Sequence, residues 1–224
     1  MAAAANSGVG GVPPPRYRHT AVAADGHLYV AGSSAGVRLF RLDDVVRVRT
    51  RWRTGGHRYV LPQAAFLAAE GDDDQRPLTY SFMSLERGTD GVHLVAGEYG
   101  RKGGRHRLVR YAIDPDTELL RTDERGHAVA ADLHDRQIAR MQGAVVVGGT
   151  WVVTSSNGRG NAGDLWVGRP GEFVRHRGVL PTGPEDVTYL PQRHQLWSLT
   201  EWPGQRWVYA IDGERWIDDD LPGG

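Results

Sequence analysis

The chain has 224 residues and a mass of 24.6 kDa, with 40% hydrophobic and 24% charged residues, a soluble globular composition sufficient for one large domain or two small ones. Its 27 basic residues balance 27 acidic ones, which excludes the global basic field expected of a nucleic-acid or membrane-surface binder. The lack of cysteine excludes disulfides, thiolate metal sites and a cysteine nucleophile.

Residues 1–15 (MAAAANSGVGGVPPP) have no basic segment followed by a continuous apolar run, so they read as a flexible arm rather than a signal peptide or membrane span. On that reading the chain is cytoplasmic as it stands, or secreted if a leader has been removed. Thirty glycines and 12 prolines imply frequent turns between short strands rather than long helices.

A strand is expected over residues 18–24, followed by a hairpin over 27–43 (HLYVAGSSAGVRLFRLD) and an outer strand at 45–48. Residues 59–69 fit less regularly. Gln63-Ala64-Ala65-Phe66 resembles Gln142-Gly143-Ala144-Val145, so this segment reads as the inner strand of an irregular extra unit that takes in residues 80–85. The pattern then recurs: a strand at 80–85 with a hairpin over 92–114, a strand at 141–147 with a hairpin over 150–169, and a strand at 185–190 with a hairpin over 195–212. Three hairpins close alike, on Phe40-Arg41-Leu42-Asp43, Tyr111-Ala112-Ile113-Asp114 and Tyr209-Ala210-Ile211-Asp212. Another outer strand is expected at 173–177. Residues 127–140 read as a strand and loop or a short helix, and Asp72–Asp74 and Asp218–Asp220 as solvated turns.

These units predict an all-β fold: a single β-propeller of four or five blades over residues 16–220, each blade a four-stranded antiparallel meander around a central channel. Trp151, Trp166, Trp197 and Trp207 recur at matching positions and are expected between blades.

In such a blade the start of the inner strand neighbours the end of the second strand, because the two run antiparallel. This geometry gathers His19, Gln63, Gln142 and Glu185-Asp186 from the inner strands with Ser33-Ser34, Glu98-Tyr99, Ser155-Ser156-Asn157 and Glu201-Trp202 from the second strands. Hydrated channels are commonly lined by polar groups that bond only to water and neighbouring strands, which is the competing structural reading of each member. Glu185 and Asp186 stand out, since Pro181-Thr182-Gly183-Pro184 sets their approach and crowded carboxylates push each other's pKa apart, as general acid/base chemistry needs. Consecutive strand residues point to opposite faces; Glu185, which aligns with Gln142, is the favoured channel residue. The catalytic set is therefore Glu185, Asp186 and His19. Gln63, Gln142, Tyr99, Glu98, Asn157, Glu201 and Trp202 would bind substrate, with Tyr99 and Trp202 able to stack on a ring. No cofactor is required, although such carboxylates beside carbonyl or amide oxygens can also hold calcium.

Two familiar motifs fail on context. Gly158-Arg159-Gly160-Asn161-Ala162-Gly163 matches a dinucleotide fingerprint and Gly32-Ser33-Ser34-Ala35-Gly36 a nucleophile elbow, but each is followed by a strand where the chemistry needs a helix.

Leu61-Pro62-Gln63, Gly97-Glu98-Tyr99-Gly100, Met141-Gln142-Gly143-Ala144, Gly183-Pro184-Glu185-Asp186 and residues 196–201 (LWSLTE) resemble a family of bacterial, often secreted, β-propeller proteins of largely unassigned function. The resemblance spans most of residues 17–212. More distantly, the blades are similar to those of the strictosidine-synthase and gluconolactonase group, which implies a metal or small substrate at the channel mouth; this chain lacks that group's clear set of asparagines. Together these features lead to the expectation of a small-molecule enzyme, possessing carboxylate acid/base chemistry for cyclisation, isomerisation or hydrolysis, in a bacterial biosynthetic setting. Its partner is a small-molecule substrate, with no nucleic acid, membrane or obligate protein partner. The alternative is a non-catalytic propeller that binds glycans or proteins.

Overall fold

The computed structural model describes the backbone of six strands between residues 21 and 67, and side chains as well over residues 80–217 except 101–105, 118, 125–127 and 135–137. The proposed arm, His19, Ser33-Ser34, Asp72–Asp74 and Asp218–Asp220 lie outside the described residues. Those that are described are all-β, with antiparallel pairing throughout and a single 3-10 turn at Pro191–Arg193.

Four sheets follow one another along the chain. The first orders β1 (Ala21–Ala24), β2 (His27–Ala31), β3 (Val37–Arg41) and β6 (Gln63–Leu67), while β4 (Val46–Arg49) and β5 (His57–Val60) form a separate two-stranded hairpin. The second orders β7 (Tyr80–Gly88), β8 (Gly91–Glu98), β9 (Leu108–Ala112) and β10 (Asp132–His134). The third runs β11 (Met141–Val147), β12 (Thr150–Ser155), β13 (Ala162–Gly168) and β14 (Val174–Thr182), and the fourth β15 (Pro184–Leu190), β16 (Gln195–Thr200) and β17 (Val208–Asp212). The first strands of successive sheets are spatial neighbours: β1 approaches β7, β7 packs on β11, and β11 on β15.

The first sheet departs from expectation. Its fourth strand is β6, not residues 45–48, and Gln63 lies opposite Phe40 on that outer strand rather than on an inner one. The sequences supply the reason. QAAFL is almost continuously apolar and suits a strand covered on both faces, whereas VRVR in β4 alternates valine with arginine and has an apolar side only. Within the stretch 127–140, β10 is a strand and forms the outer strand of the second sheet, while residues 127 and 135–137 lie outside the described residues.

Alternating side chains of one strand enter different cores. On β11 and β12, Ala144, Val146, Trp151 and Val153 join Phe82, Val95 and Leu108 of the second sheet, while Val145 and Val152 join Leu180, Val187 and Leu196 on the way to the fourth. Strands β11 and β12 are thus buried on both faces, which explains the unbroken apolar run GAVVV on β11. Truncating Trp151 to alanine removes a buried anchor of this packing, at a cost of about 3–5 kcal/mol. Trp166 packs against the same cluster. Trp207 does not: it is 54% exposed beside Val208 at 71%, because the fourth sheet packs on the third with one face and leaves Leu199 and Val208 on the other.

Candidate functional site

Each of β7, β11 and β15 carries extra residues near its start. Tyr80 pairs with Glu98 and Phe82 with Gly97, leaving Ser81 out of the ladder; Met141 pairs with Ser155 and Gly143 with Thr154, leaving Gln142; Pro184 pairs with Thr200 and Val187 with Ser198, leaving Glu185 and Asp186. A β-bulge re-aims the residue it inserts. Here three bulges at one level of three adjacent strands turn their polar residues toward one another.

The resulting chain of contacts is continuous. Ser81 Oγ donates to the Met141 carbonyl at 2.7 Å and approaches Gln142 Oε1 at 3.3 Å, and Gln142 Nε2 donates to Glu185 Oε1 at 3.0 Å. The Glu185 backbone carbonyl is held by Thr154 Oγ1 at 3.3 Å and Ser198 Oγ at 3.1 Å. Glu201, at the end of β16, brings its carboxyl group within hydrogen-bonding reach of Glu185. Close approach of β11 and β15 depends on Gly143, where a Cβ would fall 2.5 Å from Asp186 Cα. Arg140, in the left-handed conformation at φ 60°, donates its backbone N–H to Tyr99 O and accepts from Ser156 N, tying the ends of β8 and β12 to the start of β11.

Electrostatics set this cluster apart. Burial, reinforced by the Glu201 charge and hydrogen bond and by Asp186, pushes Glu185 up to about 8. Burial also raises Asp186 to about 6, partly offset by the Val187 N–H that its Oδ1 accepts at 2.8 Å. Among the described residues no basic side chain pairs with either carboxyl group. Glu185 therefore favours its protonated form at neutral pH.

The other expected site residues divide. Trp202 packs on Gly183, which is in the left-handed region at φ +67° and whose Cβ position the indole fills, and the buried indole N–H has no hydrogen-bond partner among the described residues. Tyr99 is 40% exposed just beyond β8. Glu98 is engaged elsewhere, since both its oxygens meet the buried Arg107 guanidinium, Oε2 to Nε and Oε1 to Nη2, each at 2.7 Å. Asn157 binds the Ala162 carbonyl at 2.8 Å and closes the β12–β13 loop around Gly158 and Gly160, so the fingerprint-like glycines are a hairpin connection followed by strand. Among the described residues no group of three or more His, Asp or Glu side chains is arranged to hold a metal ion, and no helix is long and apolar enough to cross a membrane.

Comparison with known proteins adds little to this geometry. No protein-family model and no curated protein sequence matches the chain. Some solved structures are loosely similar. The computationally designed protein Ika4 aligns with a TM-score of 0.38 and 11% identity over 86% of this chain and 88% of its own. A provisionally assigned 6-phosphogluconolactonase from Bacteroides uniformis aligns with a TM-score of 0.40 and 12% identity over 90% of this chain and 58% of the other, so the chain spans little more than half of that structure. The designed protein Ika8 gives 0.32 and 11%, over 86% of this chain and 71% of its own. Likenesses this loose carry no argument about function.

Ser81, Thr154 and Ser198 are the site residues that pattern reading missed. A signal for the first was present: Tyr80-Ser81-Phe82 matches Met141-Gln142-Gly143 in placing one polar residue second in the strand.

Proposed function

We propose that residues 16–220 form one β-propeller domain of four blades, and that one channel mouth is a small-molecule site where Glu185 and Glu201 perform acid/base catalysis. Four successive sheets with neighbouring first strands support the architecture. The observation that carries the chemistry is geometric: Gln142 Nε2 fixes a partly buried Glu185 within hydrogen-bonding reach of Glu201, and among the described residues no basic side chain pairs with it.

In this scheme Glu185 donates a proton to substrate and Glu201 receives one, while Gln142 orients the acid and the exposed Tyr99 covers the ligand. Carboxyl groups in hydrogen-bonding reach are closer than the roughly 5 Å or more that glycoside hydrolysis requires. The pair instead suits proton transfer at a carbonyl or activation of water, as in isomerisation, cyclisation or hydrolysis of an uncharged polar substrate. These steps use side chains alone, so chelation of calcium should leave turnover unchanged.

The test is a panel of lactones, esters and enolisable ketones incubated with the full chain and followed by chromatography. Turnover of at least one is expected, reduced about 100-fold or more in Glu185→Gln and in Glu201→Gln. Undiminished turnover in Glu185→Gln sinks the proposal.

A further inference from the structure

We propose that β17 is an interface strand: its outer edge pairs antiparallel with β17 of a second copy of this chain, about a twofold axis at Ala210. The edge belongs to the fourth sheet but lies beyond β16 from Glu185, and the inference does not depend on the acid/base reading of that residue.

The first three sheets each set a further strand against their third: β6 on β3, β10 on β9 and β14 on β13. The fourth sheet ends at β17, and among the described residues nothing pairs with its outer edge. An open edge presents a row of unpaired N–H and C=O groups, which proteins blunt with very short strands, charges, prolines or bulges. The outer strands of the second and third sheets follow that rule, since β10 has 3 residues and β14 carries Arg175, Arg177, Pro181 and register shifts. β17 does not. Val208-Tyr209-Ala210-Ile211-Asp212 has no basic residue, proline or bulge, and Val208 and Ala210 are exposed.

Backbone direction decides which of these residues are available. Within the chain the Thr200 N–H donates to the Trp207 carbonyl at 3.0 Å, and the Gly213 N–H to the His194 carbonyl at 2.7 Å. Bonding alternates along an antiparallel ladder. Trp207, Tyr209, Ile211 and Gly213 therefore turn their backbone groups to β16, while Val208, Ala210 and Asp212 turn theirs outward. Self-pairing centred on Ala210 sets Ala210 against Ala210 of the second copy and Val208 against its Asp212, so every outward group meets an outward group. A shift of two residues leaves some of them unpaired.

The side chains agree with the same register, as a self-complementary twofold contact requires. Arg206 comes opposite Glu214 of the second copy on both sides of the axis, and the exposed Trp207 opposite Gly213, which has no side chain to obstruct the indole. Arg206 and Glu214 are both exposed, and among the described residues neither is ion-paired; Arg206 gives its Nε to the Glu201 carbonyl and keeps both Nη groups. In one chain the two residues flank opposite ends of β17. Their charges are complementary only between copies.

The experiment is sedimentation velocity of the full chain from about 1 to 100 µM, the range suited to the roughly micromolar Kd of a small contact. The wild type should pass from monomer to dimer across it. Ala210→Pro removes an outward N–H that the chain's own ladder does not use, so it should give a monomer with unchanged far-UV circular dichroism and Tm. Arg206→Glu and Glu214→Arg each bring like charges together on both sides of the axis and should raise the Kd about tenfold. Combining them in one chain restores opposite charges between copies and should return the wild-type Kd; if Ala210→Pro does not fold, these exposed charge variants carry the test. A wild type that stays monomeric up to about 100 µM overturns the proposal, whether another segment of the chain or a different protein covers the edge. A dimer insensitive to Ala210→Pro, or to both single charge reversals, also overturns it by placing the contact elsewhere.

Discussion

Asp164 on β13 and Glu185 on β15 are both carboxyl groups drawn out of water, and they end in opposite states. Asp164 is 1% exposed, yet it stays ionised: burial pushes its pKa up, but hydrogen bonds from the Gly178 N–H, Asn157 and Arg175, with the Arg175 charge, outweigh that and hold it below the usual range. Glu185 is less buried but faces only an amide donor and two further carboxyl groups, so it holds its proton up to about 8. Depth of burial does not decide between them. The sign of the neighbours does, and it separates a carboxylate that braces the fold from an acid available for chemistry.

The largest expected effect falls on the braced side. Asp164→Ala removes the acceptor for the Gly178 N–H and the Arg175 guanidinium, and should cost about 3 kcal/mol in urea denaturation at pH 7. Glu185→Gln should raise stability by the same measurement, because at pH 7 the unfolded chain ionises Glu185 while the folded one must keep its proton; equal losses at the two positions would remove the distinction.

Gly143→Ala comes next. Its Cβ would push Asp186 and Val187 off β11, at an expected cost of about 1–3 kcal/mol. The separation readmits water, so the Glu185 midpoint should fall toward the ordinary carboxylate range; an unmoved midpoint in a carboxyl titration would count against burial as the main cause.

The pH dependence of stability should carry both signs. Glu185 has a folded pKa raised from 4.5 to about 8, so its favourable contribution is complete below about 4.5 and is lost as pH rises through 8. Asp186 contributes in the same sense between its ordinary 3.8 and about 6. Asp164 is opposite: its contribution is present above its ordinary 3.8 and is lost as pH falls through its lower folded value. Glu185→Gln should flatten the falling limb above pH 6 by less than about 1.4 kcal/mol per pH unit, since partial exposure screens the group. An unchanged slope between pH 6 and 8 would show that Glu185 holds no proton there.

The smallest change is expected at Asn157, whose alanine variant should lose about 1 kcal/mol or less, through the β12–β13 loop and one of the Asp164 contacts. It should leave the Glu185 titration untouched. A shift there would join the two regions that the structure keeps apart.

Much of the fold was legible because hairpins are local. The recurring strand, turn and strand marked β7–β9, β11–β13 and β15–β17, since alternation and glycine turns act between near neighbours in the chain. Residues 45–48 and Gln63 were misassigned for the opposite reason: which strand completes a sheet is a competition between segments far apart, and β6 pairs with β3 across the intervening β4–β5 hairpin. Gln142, Glu185 and Glu201 could be picked out by aligning the repeats. Glu98 and Asn157 aligned as well, but their partners Arg107 and Ala162 belong to the next strand and loop, and no pattern in a single segment reports a pairing of that kind.

By itself, the amino-acid sequence determined the strands, the hairpins and the short set of polar residues at the strand starts, because these follow from side-chain period and turn chemistry within about twenty residues. Tertiary structure alone decided that Ser81, Gln142 and Glu185 meet. Three one-level bulges turn them from alternating faces toward a common line, and Gly143 lets two sheets approach closely enough for a carboxylic acid to keep its proton. Desolvation and neighbouring charge act through space rather than along the chain, so acidity was the property the sequence could least announce.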